Sequence, residues 1–198
     1  MGGRGGARRQ PQLRADVGDV AVDGVGAEDE LLGDLAVAAP EGDEAQDICH
    51  IALVERHRAT GGVVNGFVSG FGYSEDCALA STVAHDSHHM IVVGTNKADM
   101  ALAANRLAEI GGGVVIYSGG KELALIELPI AGLMSDERAE IVARKAEKLG
   151  KAMREVGCTL NNAFMQHSLL ALVVIPELRI SDEGIVDVRT FEKVDLFL

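Results

Sequence analysis

Apolar and polar positions change character near residue 47 of this chain. From Ile48 onward, short apolar runs separated by clusters of Gly, Asn, Asp and Ser predict strands. These are IALVE (51–55), the glycine-interrupted GFVSGFGY (66–73), CALASTVA (77–84) and MIVVG (90–94). Period-two alternation is weak within them, so both faces of the sheet should be covered. GVVIYSGG and ELALIELP then predict a hairpin turning at SGGK (118–121).

A period of 3.6 marks two helices. In TNKADMALAANRLAEIGGG (95–113), Thr95 or Asn96 caps the start, Met100, Ala103, Leu107 and Ile110 share a face, and the glycines end it. In SDERAEIVARKAEKLGKAMREVG (135–157), Ser135 or Asp136 is the expected cap and Val142, Ala146, Leu149, Met153 and Val156 form the apolar stripe. Gly150 inside it should cost roughly 1 kcal/mol relative to Ala. The C-terminal stretch starts as an apolar run holding Pro176 and ends in a short alternating strand near Ile185 to Val188. The predicted fold is α/β: a mixed sheet with covering helices, forming one domain over residues 48–198.

Residues 1–47 differ in kind. Residues 1–14 hold four Arg and no acid, residues 15–47 hold eleven acids and no Lys or Arg, and the first aromatic is Phe67. Such a stretch buries little apolar surface, so it is expected to be a disordered or non-native tail, with a short helix near Glu28–Ala38. Its Arg, Gly, Ala and Pro bias is what a misplaced start or shifted frame in GC-rich DNA would give.

Composition narrows the function. A net charge of −12 argues against nucleic acid as a partner, because a phosphate backbone needs a clustered basic face. No apolar run reaches the roughly 18 residues that span a bilayer, so neither a membrane partner nor a secretory leader is expected and the setting is cytoplasmic. Cys49, Cys77 and Cys158 form no CxxC pair and are expected to be reduced, buried thiols.

HDSHH (85–89) carries the candidate chemistry. His85, Asp86, His88 and His89 sit between two strands, where loops are presented at a sheet edge. The residue types allow three readings: metal ligands, acid and base groups with Asp86 orienting a histidine, or a polar loop bonded to nearby backbone. ERHRATGG (55–62) follows the first strand and adds Glu55, Arg56 and His57. Arg56 beside glycines suits an anion, or Glu55 and Arg56 order the loop, and His57 can face the same cleft as His85. No GxGxxG, GKS, GKT or HxH occurs, and the HxE with a later PCxxC of zinc nucleobase deaminases is missing.

Several stretches in fixed order resemble the C-terminal domain of bacterial adenine deaminase, in the amidohydrolase superfamily. They are ERHRATGGVVNGFVSGFG, ALASTVAHDSHHMIVVGTNKADMALAANRLAEIGGGVV, ELPIAGLMSDE and VGCTLNNAFM, and the likeness covers about residues 48–198. Two positions depart from the family's run: His89 stands where Asn is usual, and Ala163 where Pro is usual at a helix start.

The resemblance implies hydrolysis of adenine to hypoxanthine and ammonia by a metal-bound hydroxide, with Mn²⁺ or Fe²⁺ as cofactor. It also implies that the ligands lie in a (β/α)8 barrel preceding this domain. At 198 residues the chain is too short to hold such a barrel of about 250 residues as well. The expectation is therefore a domain inactive alone, contributing His85, Asp86 and His88 as catalytic candidates. Glu55, Arg56, His57 and Ser87 contact substrate or support the loop, and no metal ligand is expected here. The expected partners are the barrel and a purine, with self-association through the barrel-facing surface. The alternative is a stand-alone purine- or metal-binding module, or an interaction or decay fragment.

Overall fold

The computed structural model of the chain describes residues 47–196. The helix expected near Glu28–Ala38, and all of the expected tail but Asp47, lie outside them. Strands β1 (Ile48–Val54), β2 (Val63–Ser69), β3 (Cys77–Ser81) and β4 (Met90–Gly94) lead into helix α1 (Lys97–Ile110). The hairpin β5 (Gly113–Ser118) and β6 (Lys121–Glu127) follows, then helices α2 (Ala139–Glu155) and α3 (Ala163–Leu169), and last β7 (Leu178–Ser181), β8 (Gly184–Asp187) and β9 (Glu192–Val194).

The first six strands form one sheet in the order β2-β1-β4-β3-β5-β6, and β7-β8-β9 form a second. The α/β make-up and covering helices are as expected, but the pairing is more uniform than a mixed sheet: every ladder is antiparallel. The reason is local. Short connections join β1 to β2, β3 to β4 and β5 to β6, and only an antiparallel pair closes over so few residues. Strands β4 and β5 point the same way with β3 between them, and α1 carries the chain across.

Residue parity sorts the core into two layers. Ala52, Val54, Ala78, Ala80, Met90, Val92 and Val115 face α1, which contributes Met100, Ala103, Ala104 and Leu107. Ile51, Leu53, Leu79, Ile91, Val93, Val114 and Ile116 face the other way, against Leu149 and Met153 of α2, Val156 just after it and Ile180 of β7. β3 and β4 are buried along their whole lengths, which explains why their sequences lack alternation. Cys49, Cys77 and Cys158 are free and buried, and burial pushes the Cys49 and Cys77 thiols up to about 12, so they are inert.

Element ends moved where polar groups claimed the backbone. The strand expected over 66–73 stops at Ser69, because the Asp47 carboxylate accepts the Gly70 and Gly72 amides at 2.7 Å each. The strand expected over 77–84 stops at Ser81, where Thr82 turns away to bind other loops. Helix α2 starts at Ala139 behind Arg138 with no side-chain cap, while Ser135 accepts the Glu137 amide in a preceding turn. Its stripe is buried only at the C-terminal end. Val142 and Ala146 instead line a groove of about 660 Å³ with Ile126, Leu128, Leu149 and Phe164.

Helix α1 shows how one carboxylate sets two elements. Asn96 caps it by accepting the Asp99 amide at 2.8 Å, and Gly111 ends it at φ +85°. Asp99, buried in the first turn, also accepts the Gly119 and Gly120 amides at 3.0 and 2.8 Å, pinning the β5–β6 turn to the helix. Asp99→Ala leaves those turn amides without their acceptor. It should cost about 1–3 kcal/mol in urea unfolding with an unchanged m value; a loss under about 0.5 kcal/mol would contradict this account.

Candidate functional site

The loops at one end of the six-stranded sheet converge: residues 55–62 after β1, 82–89 between β3 and β4, and 128–134 after β6. Thr82, 1% exposed, donates its hydroxyl to the Gly132 carbonyl at 2.7 Å and accepts the Gly113 amide at 2.8 Å. Arg56 completes the link. Its Nε donates to the His88 carbonyl at 2.6 Å and its Nη2 to the Ala131 carbonyl at 2.9 Å. Gly132 lies directly beneath, at φ +74°, and a Cβ there would come within 2.9 Å of the guanidinium.

Glu55 organises its own loop. Its carboxylate accepts the amides of His57 (2.5 Å), Arg58 (2.8 Å) and Thr60 (3.1 Å) and the Thr60 hydroxyl (3.0 Å). Burial alone would raise its pKa, but these donors outweigh burial and hold it down at about 2. Glu55 therefore stays a carboxylate throughout the neutral range. It does not pair with Arg56; the loop is ordered by backbone amides.

The histidines gather where these loops meet. His57 is exposed, and its Nε2 lies 2.6 Å from the Ser87 carbonyl, its ring centroid 4.7 Å from that of His89. His85 and His88 meet edge to face with centroids 5.2 Å apart, and the His85 amide donates to the Ser168 carbonyl at 2.9 Å. Burial, then the neighbouring His85 and Arg56, pull the His88 imidazole below its usual value, against a smaller opposing pull from Asp86. His88 is thus a neutral base at neutral pH, and its buried Nδ1 has no hydrogen-bond partner among the described residues. Asp86 and Ser87 are exposed.

The structure thus brings His57, His85, Asp86, Ser87 and His88 together at one edge, with Glu55 and Arg56 as supports behind them. Chemically, such an edge can accept a proton or hydrogen-bond a planar polar ligand. Among the described residues, no group of three or more His, Cys, Asp or Glu is arranged to hold a metal ion. No helix among them is long and apolar enough to cross a membrane.

Sequence reading missed several contributors. His89 belonged to the candidate run but was set aside as a departure from the family pattern, yet it is 5% exposed and contacts both Glu55 and Asp182 of the β7–β8 turn. Gly132 carried a weak signal, a glycine inside PIAGLM. His167 was hidden in an apolar run; it is wholly buried, packed edge-on to Phe71, with no partner for either ring nitrogen among the described residues.

Comparison with known proteins assigns the domain to a family. The model of the adenine deaminase C-terminal domain matches residues 31–192. The chain belongs to the adenine deaminase C-terminal domain family. It is 76% identical over 156 residues to a protein named adenine deaminase from Mesorhizobium japonicum, and 74% identical over 156 residues to adenine deaminase 3 of Rhizobium meliloti. A Clostridium botulinum adenine deaminase is 48% identical over the same length. Each match takes in 79% of this chain and 26% of the relative, so the chain spans about a quarter of the length of these relatives. The family match begins at residue 31 and takes in residues that composition had set apart as a tail.

His167 gives this domain a pH signature. Burial, only partly opposed by the Leu79 backbone, drives its pKa from 6.5 to about 3. A depressed histidine favours the fold above pH 6.5, and that contribution is lost as pH falls toward 3, because the unfolded chain takes the proton first. Stability should fall by about 1.4 kcal/mol per pH unit below pH 6 from this residue alone. His167→Leu should flatten the wild-type slope in urea unfolding at pH 4–7; parallel slopes would refute the assignment.

Proposed function

We propose that this domain works as the closing part of an adenine deaminase, hydrolysing adenine to hypoxanthine and ammonia together with a barrel that lies outside the span of this chain. What carries the reading is the family match combined with an edge formed by half-buried His85 and His88 and exposed Asp86, held in place by Glu55 and Arg56 behind it. His88, half-buried against His85 and neutral, is the base of this edge, and Asp86 holds a carboxylate at its exposed rim. Glu55, Arg56 and Ser87 keep the loop in shape, and His57 fixes the Ser87 backbone.

The ion implied by the resemblance, Mn²⁺ or Fe²⁺, does not fit the donors described here. His57 faces the Ser87 carbonyl, and His89 has Arg56 and Asp182 at its two nitrogens. That leaves the His85 and His88 pair, short of a ligand set. We therefore assign the ion to the barrel. Ile130 and Met134, 45% and 58% exposed beside Ala131, suit a covering partner, the barrel first and a second copy of the chain otherwise. The setting is the cytoplasm, where three buried thiols stay reduced.

Ammonia release from adenine tests this directly. The chain alone, supplied with Mn²⁺ or Fe²⁺, should show negligible turnover. Residues 31–192 grafted in place of the matching part of the Mesorhizobium japonicum relative should restore it, and His88→Ala in that chimera should lower kcat/KM by about 10²-fold or more. Robust turnover by the chain alone would sink the division of labour, and an inactive chimera beside an active parent would sink the function.

A further inference from the structure

We propose that His89 is a proton-operated latch between the HDSHH loop and the C-terminal sheet, the charge of the protonated ring being shared between Glu55 at one nitrogen and Asp182 at the other. The geometry is specific. The His89 ring, 5% exposed, ends the loop just before β4, with Nδ1 accepting the Arg56 amide at 3.4 Å and Nε2 standing 3.4 Å from the Asp182 carboxylate. With Nδ1 accepting, the neutral ring carries its proton on Nε2. Glu55 Oε1 waits 3.9 Å from Nδ1 on the far side.

A second proton must go to Nδ1. It sets two donors, the imidazolium and the Arg56 amide, against each other, and turns Nδ1 toward Glu55 Oε1. That oxygen already accepts the His57 and Arg58 amides, so the loop carrying His57 loosens. At the other nitrogen the contact with Asp182 becomes a charged pair, which draws the β7–β8 turn inward. The other groups around the ring do not supply an alternative. His57 lies 4.7 Å away as a second imidazole and opposes the charge, the Arg56 guanidinium is held by the His88 and Ala131 carbonyls, and Glu183 beside Asp182 pairs with Lys193. On its own loop His85 and His88 face each other, and Asp86 is exposed.

The latch separates two segments with opposite responses to pH. Amide exchange of the full chain, corrected for intrinsic rates, should show residues 180–187 about three- to fivefold more protected at pH 5.5 than at pH 8, and residues 57–60 less protected by a similar factor. His89→Asn should abolish both changes. Asp182→Asn, at a side chain 44% exposed and therefore safe for folding, should abolish the first and keep the second. The proposal is overturned if the wild type shows neither change, or if His89→Asn leaves both in place.

Discussion

Two carbonyl groups, those of His88 and Ala131, end up on different loops yet need donors in the same small space, and one guanidinium satisfies both. Everything at this end of the sheet depends on that arrangement. The Arg56 fork requires Gly132 beneath it, Gly132 is placed by the Thr82 hydroxyl, and Thr82 is free to turn because β3 ends at Ser81. A planar donor with fixed geometry suits the task in a way that a lysine would not. The loop bearing His85, Asp86 and His88 is thus positioned by backbone hydrogen bonds from its neighbours.

This arrangement also explains how a short acidic domain keeps so many histidines in distinct states. His88 is held neutral by burial and by the charges around it, His167 is shut in the apolar core, and His89 stands between two carboxylates. Glu55 takes no part in proton transfer at neutral pH because four donors hold it ionised. The same residue type therefore does different work according to what the backbone around it demands.

Much of the fold was legible because local chemistry and tertiary packing agreed. MIVVG is β4 residue for residue, SGGK turns the β5–β6 hairpin, and Asn96 caps α1. Reading failed where a distant group took the backbone: Asp47 ends β2 early, and no side chain caps α2, so Ser135 and Asp136 misled. Helix α3 and strands β7 and β9 are too short to leave a periodic signal. At the site, spacing alone exposed HDSHH and ERHR, but not their interlock, because His88 and Ala131 contribute through backbone carbonyls, which leave no trace in residue type.

The three loops stand or fall together through Arg56. Amide exchange of Arg56→Ala in the full chain tests it. Residues 57–60, 85–89 and 130–134 should all lose protection, by about tenfold or more, while β3, β4 and α1 keep theirs. Loss confined to residues 57–60, with 85–89 and 130–134 unchanged, would contradict it.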